Sequence, residues 1–152
     1  MAANTGRSVF SRWGLFYVDN AAGTLTSIGV STVNGVGLTY GEKELTATLD
    51  AIKGALLETP TCKIDITGPF DTVTHTVLSG IVGLSVPLAL DVRLGIRHTW
   101  ESGEPTFGIT GTATNGFLCS AYSVDWANAT YSASFVVCSG SAAPEWATVA
   151  HT

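Results

Sequence analysis

The clearest pattern in the chain is the alternation of apolar residues with polar or small residues between Leu88 and Arg97. Every second residue from Leu88 to Ile96 is a large aliphatic one, and Asp91 falls among the residues that alternate with them. Alternation with a period of two is typical of a strand with one buried face. Pro87 stands at the first step, where a missing N–H donor is tolerated. We therefore predict a half-buried antiparallel strand with Asp91 on the face away from the core.

Two pairs of β-rich runs are separated by turn residues, which predicts two hairpins. The first pair, Trp13–Asp19 and Thr24–Val30, lies near the start of the chain. The second pair, Phe117–Val124 and Tyr131–Cys138, is joined by Asp125–Thr130. Both hairpins would contribute neighbouring antiparallel strands to a sheet.

In the middle of the chain, the spacing of the apolar residues changes twice. Lys43–Leu49 alternates as a strand does, and apolar residues between Ala51 and Leu56 then recur at helical spacing. Asp50 is placed to cap this short helix and Pro60 to end it. The alternation returns over Cys62–Ile66, which predicts a second strand. This stretch therefore reads as strand, short helix and strand.

The remaining segments are less regular. Ser31–Gly41 contains three glycines and predicts a loop, Val77–Leu84 a short helix or a loop on the core, and Phe107–Thr110 a short strand. Together the elements predict a mainly β fold, an antiparallel β-sandwich or open barrel of about seven strands with one short inserted helix. We expect residues 1–152 to form one domain with a flexible N-terminal arm over about residues 1–12 and a flexible tail over about residues 139–152.

Charged residues are scarce, and this changes the picture of the surface. They make up 12% of the chain, against about 25% in typical soluble domains. Two interpretations remain open: much of the surface is covered in an assembly, or the protein is a small β-domain with a Ser/Thr surface. The formal net charge is -5 and the seven basic residues are scattered, which excludes a protein that grips nucleic acid through clustered Lys and Arg.

Cysteines and apolar runs indicate where the protein is made. The three cysteines are an odd number at wide spacing and predict small apolar core residues rather than disulfides: Cys62, Cys119 and Cys138. The N-terminal stretch MAANTGRSVFSRWG has no apolar run long enough for a signal peptide, and no segment elsewhere reaches the length of a membrane span. We expect synthesis and folding in a reducing cytoplasm, and no membrane partner.

The sequence offers little for catalysis. The histidines, which have no metal-ligand spacing, are His75, His98 and His151. Glu101 and Glu104 are interpreted as solvated charges in a loop. We predict no enzymatic activity, no metal and no cofactor. Two tryptophans, Trp126 and Trp146, could form a sugar-binding platform. We predict instead that they anchor protein interfaces, where Trp is favoured.

Two stretches carry a family resemblance. ELTATLDAIKGALLETPTCKIDITGPFD resembles the central signature of the tail tube proteins of long non-contractile-tailed bacteriophages, and FLCSAYSVDWANATYSASFVVCSG resembles that family's paired closing strands. Glu58-Thr59-Pro60 stands where the family usually has Pro-Gly-Leu. The likeness spans most of the chain between about residues 16 and 140.

The resemblance implies a structural virion protein made in the bacterial host cytoplasm and located in the virion tail. Its subunits would form hexameric rings that stack into a hollow tube, through which DNA passes without specific binding. The implied partners are further copies of the chain and other tail proteins, such as the tape measure, tail terminator and distal tail proteins. A capsid decoration protein with a similar fold is the alternative, and a carbohydrate-binding module is a further one.

A tube that lets DNA slide needs a wall without clustered cations, because each Lys or Arg contact with phosphate adds salt-sensitive affinity. We predict an acidic lining formed by carboxylates on strand faces away from the core. The candidates, each opposite apolar residues in an alternating run, are Glu44, Asp65 and Asp91.

Overall fold

The computed structural model describes residues 13–47, 51–95 and 100–152. The described chain contains eleven strands and one α-helix, which in order are β1 (Trp13–Asp19), β2 (Leu25–Ile28), β3 (Thr32–Asn34), β4 (Thr39–Glu44), β5 (Ala55–Thr61), β6 (Lys63–Pro69), α1 (Thr72–Ile81), β7 (Leu90–Gly95), β8 (Thr106–Ile109), β9 (Phe117–Asp125), β10 (Thr130–Val137) and β11 (Glu145–Ala147). The predicted N-terminal arm lies outside the described residues.

Two large antiparallel sheets form the body of the protein. The five-stranded sheet has the order β11-β8-β7-β1-β2, and the four-stranded sheet has the order β3-β6-β10-β9. The remaining strands, β4 and β5, form a separate two-stranded sheet. The predicted hairpins are confirmed, since β1 pairs with β2 and β9 pairs with β10.

The core lies between the two large sheets. The rings of Phe16 in β1 and Phe135 in β10 are 5.4 Å apart and connect the two sheets. Alternate residues of the strands supply much of the core, which confirms the facing predicted for Leu90, Ile64 and Ile66. Leu94 only packs against the core's margin, and the predicted end of that strand, from Ile96, lies outside the described residues. The mainly β sandwich class is therefore confirmed.

The one described helix, α1, closes the sandwich beside β2 and β9. Asp71 caps its start, because its carboxylate accepts a hydrogen bond from the Thr74 amide at 2.8 Å. Helical spacing then turns Val77, Leu78 and Ile81 toward the core. This helix begins five residues before Val77–Leu84, the segment predicted as a short helix or a loop, and it ends within that segment at Ile81.

The helix predicted after Asp50 is wrong. Residues 51–54 form a turn, and Ala55 begins β5, which pairs with β4. Leu45 donates its amide to the Gly54 carbonyl at 2.9 Å, which closes the hairpin where the helix was expected. Strand pairing supplies the backbone hydrogen bonds here, and it outweighs a weak local preference that Gly54 and Pro60 already reduced. Asp50 itself lies outside the described residues.

Two segments expected to lack structure are ordered. The predicted loop Ser31–Gly41 contains β3 and the start of β4. The predicted flexible tail, residues 139–152, contains β11, which pairs with β8, and ends on the five-stranded sheet. Short strands of this kind give no periodic signal, because three residues are too few to display an alternation.

Candidate assembly surfaces

Two rows on the outward face of the four-stranded sheet are mostly polar and open, whereas the row that starts at Lys63 continues into half-buried Val136 and Leu118. Alternation in β6 buries Ile64 and Ile66 and leaves Lys63, Asp65 and Thr67 outside. The register places one hydroxyl from each strand in a single row across the sheet: Thr32, Thr67, Ser132 and Ser123. The next row consists of Asn34, Asp65, Ser134 and Ala121. We call these eight residues the hydroxyl face.

Side chains on the hydroxyl face bond mostly to one another. Ser123 Oγ and Ser132 Oγ are 2.9 Å apart, and the hydroxyls of Thr32 and Thr67 are paired as well. Ser134 donates to Asp65 Oδ1 at 2.6 Å. Asp65, one of the three proposed lining residues, is therefore exposed and partly satisfied by its own sheet.

Asp91 lies in an opposite environment, and its expected exposure is wrong. It is on the outward side of β7, yet its side chain is fully buried. Arg93 Nε donates to Asp91 Oδ2 at 2.8 Å, and the Thr106 hydroxyl donates to Oδ1. The guanidinium of Arg93 in turn lies 3.9 Å from the ring centroid of Tyr17. A carboxylate enclosed in this way cannot face a tube lumen.

The C-terminal segment is what covers Asp91. The backbone amide of His151 donates to Asp91 Oδ2 at 3.2 Å, and its ring Nδ1 lies 3.0 Å from Oδ1. Thr148 and Thr152 accept backbone hydrogen bonds from Gly103 and Gly111 at 2.8 and 2.9 Å. We call residues 148–152 the C-terminal strap. It covers Asp91 on the outward side of the five-stranded sheet.

Glu44 occupies a third environment, on the β4–β5 hairpin. Its carboxylate lies 3.9 Å from Lys53 Nζ, and Thr46 Oγ1 donates to it at 3.2 Å. The three proposed lining residues therefore belong to three different sheets, and the structure does not bring them together.

The β4–β5 hairpin exposes apolar side chains on both faces. Leu56 and Leu57 are consecutive strand residues, so their side chains point to opposite faces of the hairpin. Leu56 is 57% exposed and Leu57 is 66% exposed. Ile52 in the turn is 78% exposed. A two-stranded hairpin is marginally stable in water. The hairpin therefore leaves three large aliphatic side chains exposed to solvent in the single subunit.

The two tryptophans predicted as interface anchors differ in how exposed they are and in what they pack against. Trp126 is 89% exposed in the β9–β10 turn, which Asp125 braces by accepting the side-chain amide of Asn128 at 2.8 Å. This hydrogen bond lowers the pKa of Asp125. Trp146 in β11 is 53% exposed, and its ring packs 4.9 Å from the ring of Phe107. Of the two, Trp126 is the more exposed.

Glu104 and His75, two of the residues considered for catalysis or metal binding, make hydrogen bonds within the protein. Glu104 is buried and accepts the Glu101 amide at 2.9 Å, so its interpretation as a solvated charge is wrong. His75 Nδ1 lies 2.9 Å from the Tyr122 hydroxyl, and His98 lies outside the described residues. Within residues 13–47, 51–95 and 100–152, no group of three or more His, Cys, Asp and Glu side chains is arranged to hold a metal.

The cysteines are free thiols in the described structure, and Cys119 belongs to the core. Burial raises the pKa of Cys119 to about 11 and also raises the pKa of Cys62. In the described part of the chain no helix is long and apolar enough to span a membrane.

Sequence reasoning missed two features of these surfaces. The hydroxyl rows had a signal, because Thr67, Ser132 and Ser123 occupy the polar positions of alternating runs, but their alignment depends on strand register. His151 had no signal, because nothing in a small-residue tail indicates that it reaches a carboxylate 60 residues earlier.

Comparison with solved structures identifies proteins of the same fold. The chain superposes on a chain of the PVC sheath/tube terminator of an extracellular contractile injection system in its extended state, with a TM-score of 0.64, 11% identity and coverage of 95% of this chain and 99% of the other. The PVC sheath-tube complex gives a TM-score of 0.60 at 11% identity, with 95% of each chain covered. The anti-feeding prophage baseplate gives 0.64 at 11% identity, with 95% and 97% covered.

At this identity the likeness concerns the fold. No family model matches the chain. No curated protein matches it in sequence.

Proposed function

We propose that this protein is a structural subunit of a phage-tail-like tube, and specifically the major tail tube subunit. The observation that carries the proposal is the hydroxyl face, a polar sheet surface that stays open while the chain covers the outward side of the other large sheet. The fold shared with chains of tube, sheath and baseplate assemblies supports it, as does the family resemblance. The protein performs no chemistry in this role.

The four-stranded sheet supplies a route to ring formation. It ends at β3 on one side and at β9 on the other. Phe117 and Cys119 of β9 already bond to Leu88 and Gly83, so the open part of this edge runs from Ser120 to Asp125. Joining this edge to the β3 edge of the next copy is a head-to-tail contact, and such contacts form a ring when the rotation between copies closes. The hydroxyl face would then line the lumen.

The β4–β5 hairpin and Trp126 supply further contacts in this proposal. Apolar groups on both faces of the hairpin suit an arm held between two neighbouring copies. Trp126 stands at the open end of β9, beside the edge that would meet the next subunit. We propose that Trp126 and Trp146 anchor these interfaces, and that tape measure, terminator and distal tail proteins are the further partners.

The type of tail is a separate proposal. The resemblance favours a non-contractile phage tail, whereas the two PVC structures named above come from an extracellular contractile injection system. A tube without an outer sheath in the native particle supports the non-contractile type. Recovery of a sheath protein with the native tube contradicts it.

Negative-stain imaging of the purified protein tests the proposed function. We expect rings that stack into hollow tubes. Single rings that never stack indicate a terminator-like subunit, and compact trimers that attach to empty capsids indicate a decoration protein. Monomers that bind a glycan indicate a carbohydrate-binding module.

Two matched variants test the anchors within that assay. Trp126→Ala should leave the melting temperature unchanged and reduce tube formation, because the side chain contacts little in its own subunit. Trp146→Ala should also lower the melting temperature, because its ring packs on Phe107. Normal tube formation by Trp126→Ala removes this residue from the interface.

A further inference from the structure

We propose that the tube wall is made non-adhesive to a polyanion such as duplex DNA by a neutral layer of mutually bonded hydroxyls, and not by acidic repulsion. This inference rests on the proposed function, because it assumes that the hydroxyl face lines the lumen. It replaces the acidic lining expected from the sequence, of which the structure leaves only Asp65 on this face.

Charges on and beside the hydroxyl face are few and sum to -1, from one lysine and two aspartates. On the outward side of its four strands the charged residues are Lys63, Asp65 and Asp125. Lys63 and Asp65 are two residues apart on the same side of β6, so the cation lies next to a carboxylate. Asp125 is at the end of β9 and bonds to its own turn. A face with one compensated cation offers phosphate no cluster to bind.

The hydroxyls make this surface polar without turning it into a binding site for phosphate. A wall of apolar side chains would be a sticky patch before assembly, and a wall of lysines would bind phosphate. Paired hydroxyls avoid both outcomes. Ser123 bonds to Ser132, Thr32 to Thr67 and Ser134 to Asp65, so six of the eight residues of the hydroxyl face bond to one another within the sheet. They remain neutral at every pH at which the protein is folded.

The first test uses the soluble subunit and therefore does not depend on tube formation. Binding of a labelled short DNA duplex is measured by fluorescence anisotropy over a salt series. The uncharged variant Lys63→Gln/Asp65→Asn/Asp125→Asn should bind within twofold of the wild type. Tenfold tighter binding by this variant would show that the carboxylates repel DNA and would overturn the inference. Lys63→Gln/Asp65→Asn, which keeps Asp125, serves as a second version if the turn is disturbed.

The second test asks whether the hydroxyl row is the surface that DNA meets in a tube. Thr67→Lys/Ser132→Lys places two cations in the row, and Ser79→Lys/Thr114→Lys adds the same charge to α1 and a loop outside the face. Tubes are assembled with the labelled duplex, washed, and followed for release. We expect the row variant to retain DNA at least tenfold longer, with its salt dependence steeper by about 1.8 in a log–log plot, as two phosphate contacts require.

The control tubes should release DNA as the wild type does. Equal retention by the two lysine variants would overturn the luminal position of the row. If no variant forms tubes, the proposed function fails, whereas the subunit test still decides whether the face is neutral or repulsive toward DNA.

Discussion

The outward faces of the two large sheets differ in whether the chain itself covers them. On the five-stranded sheet, Asp91 is enclosed by Arg93, Thr106 and the C-terminal strap. On the four-stranded sheet, Asp65 occupies an equivalent outward position and stays exposed beside hydroxyls. Both carboxylates alternate with core aliphatics. Their different surroundings show that a polar position in a strand marks the side away from the core and does not by itself mark the surface.

The difference has an energetic consequence. A buried carboxylate is stable only with enough donors, and Asp91 receives them from three side chains and a backbone amide. Asp65 keeps contact with water, which can replace any donor that a substitution removes. The same residue type is therefore structural in one sheet and dispensable for folding in the other.

The largest expected change in stability follows substitution of Asp91 on the covered face. Asp91→Ala should lower the free energy of unfolding by about 3–5 kcal/mol, because it leaves the half-buried Arg93 charge and other donors without a partner. Asp65→Ala should stay within about 0.5 kcal/mol of the wild type. Urea denaturation of both variants measures the two values. Equal stability losses would contradict the distinction between a covered and an open face.

The next effect concerns the core that the two faces share. Leu90→Ala should cost about 2–5 kcal/mol, as expected for a fully buried leucine. Leu94→Ala should cost less, because Leu94 packs only at the margin of the core. Thermal unfolding ranks the two variants. A larger loss at Leu94 would mean that the strand's facing is wrongly assigned near its end.

A smaller loss of stability is expected when the C-terminal strap loses its side-chain contact with Asp91. His151→Ala removes one donor from buried Asp91, and we expect a loss of about 1–3 kcal/mol. The amides of Gly103 and Gly111 donate to the strap, so their hydrogen exchange should accelerate. His75→Ala is the matched control, since that histidine is exposed on α1. Unchanged exchange at both glycines in His151→Ala would show that the strap is held without Asp91.

The smallest effect is a reactivity order that separates core from surface. In the native protein at pH 8, iodoacetamide should modify Cys119 more slowly than Cys138, because burial raises the pKa of Cys119 from 9.0 to about 11. The raised pKa contributes stability that is complete below the unfolded pKa and is lost as pH rises through the folded one. The window is therefore about pH 9–11. Mass spectrometry measures the order, and equal rates would place Cys119 outside the core.

Much of the fold could be predicted from patterns in single segments. The alternation in Cys62–Ile66 and in Leu88–Ile96 identified strands with the correct buried faces at Ile64, Ile66 and Leu90. The helix was misplaced, because the weak helical spacing after Asp50 competed with hairpin pairing and lost. The candidate lining was predicted less well, since only register reveals that Thr67 and Ser132 are neighbours.

The sequence by itself determined the mainly β class, the inward side of the long strands, the two hairpins and the low charge, because each of these depends on residues close together in the chain. The tertiary structure decided which outward face stays open. It brought His151 to Asp91 across 60 positions and aligned hydroxyls from four strands in one row. Solvation of a polar side chain depends on everything packed around it, and the segments that pack there are distant in sequence.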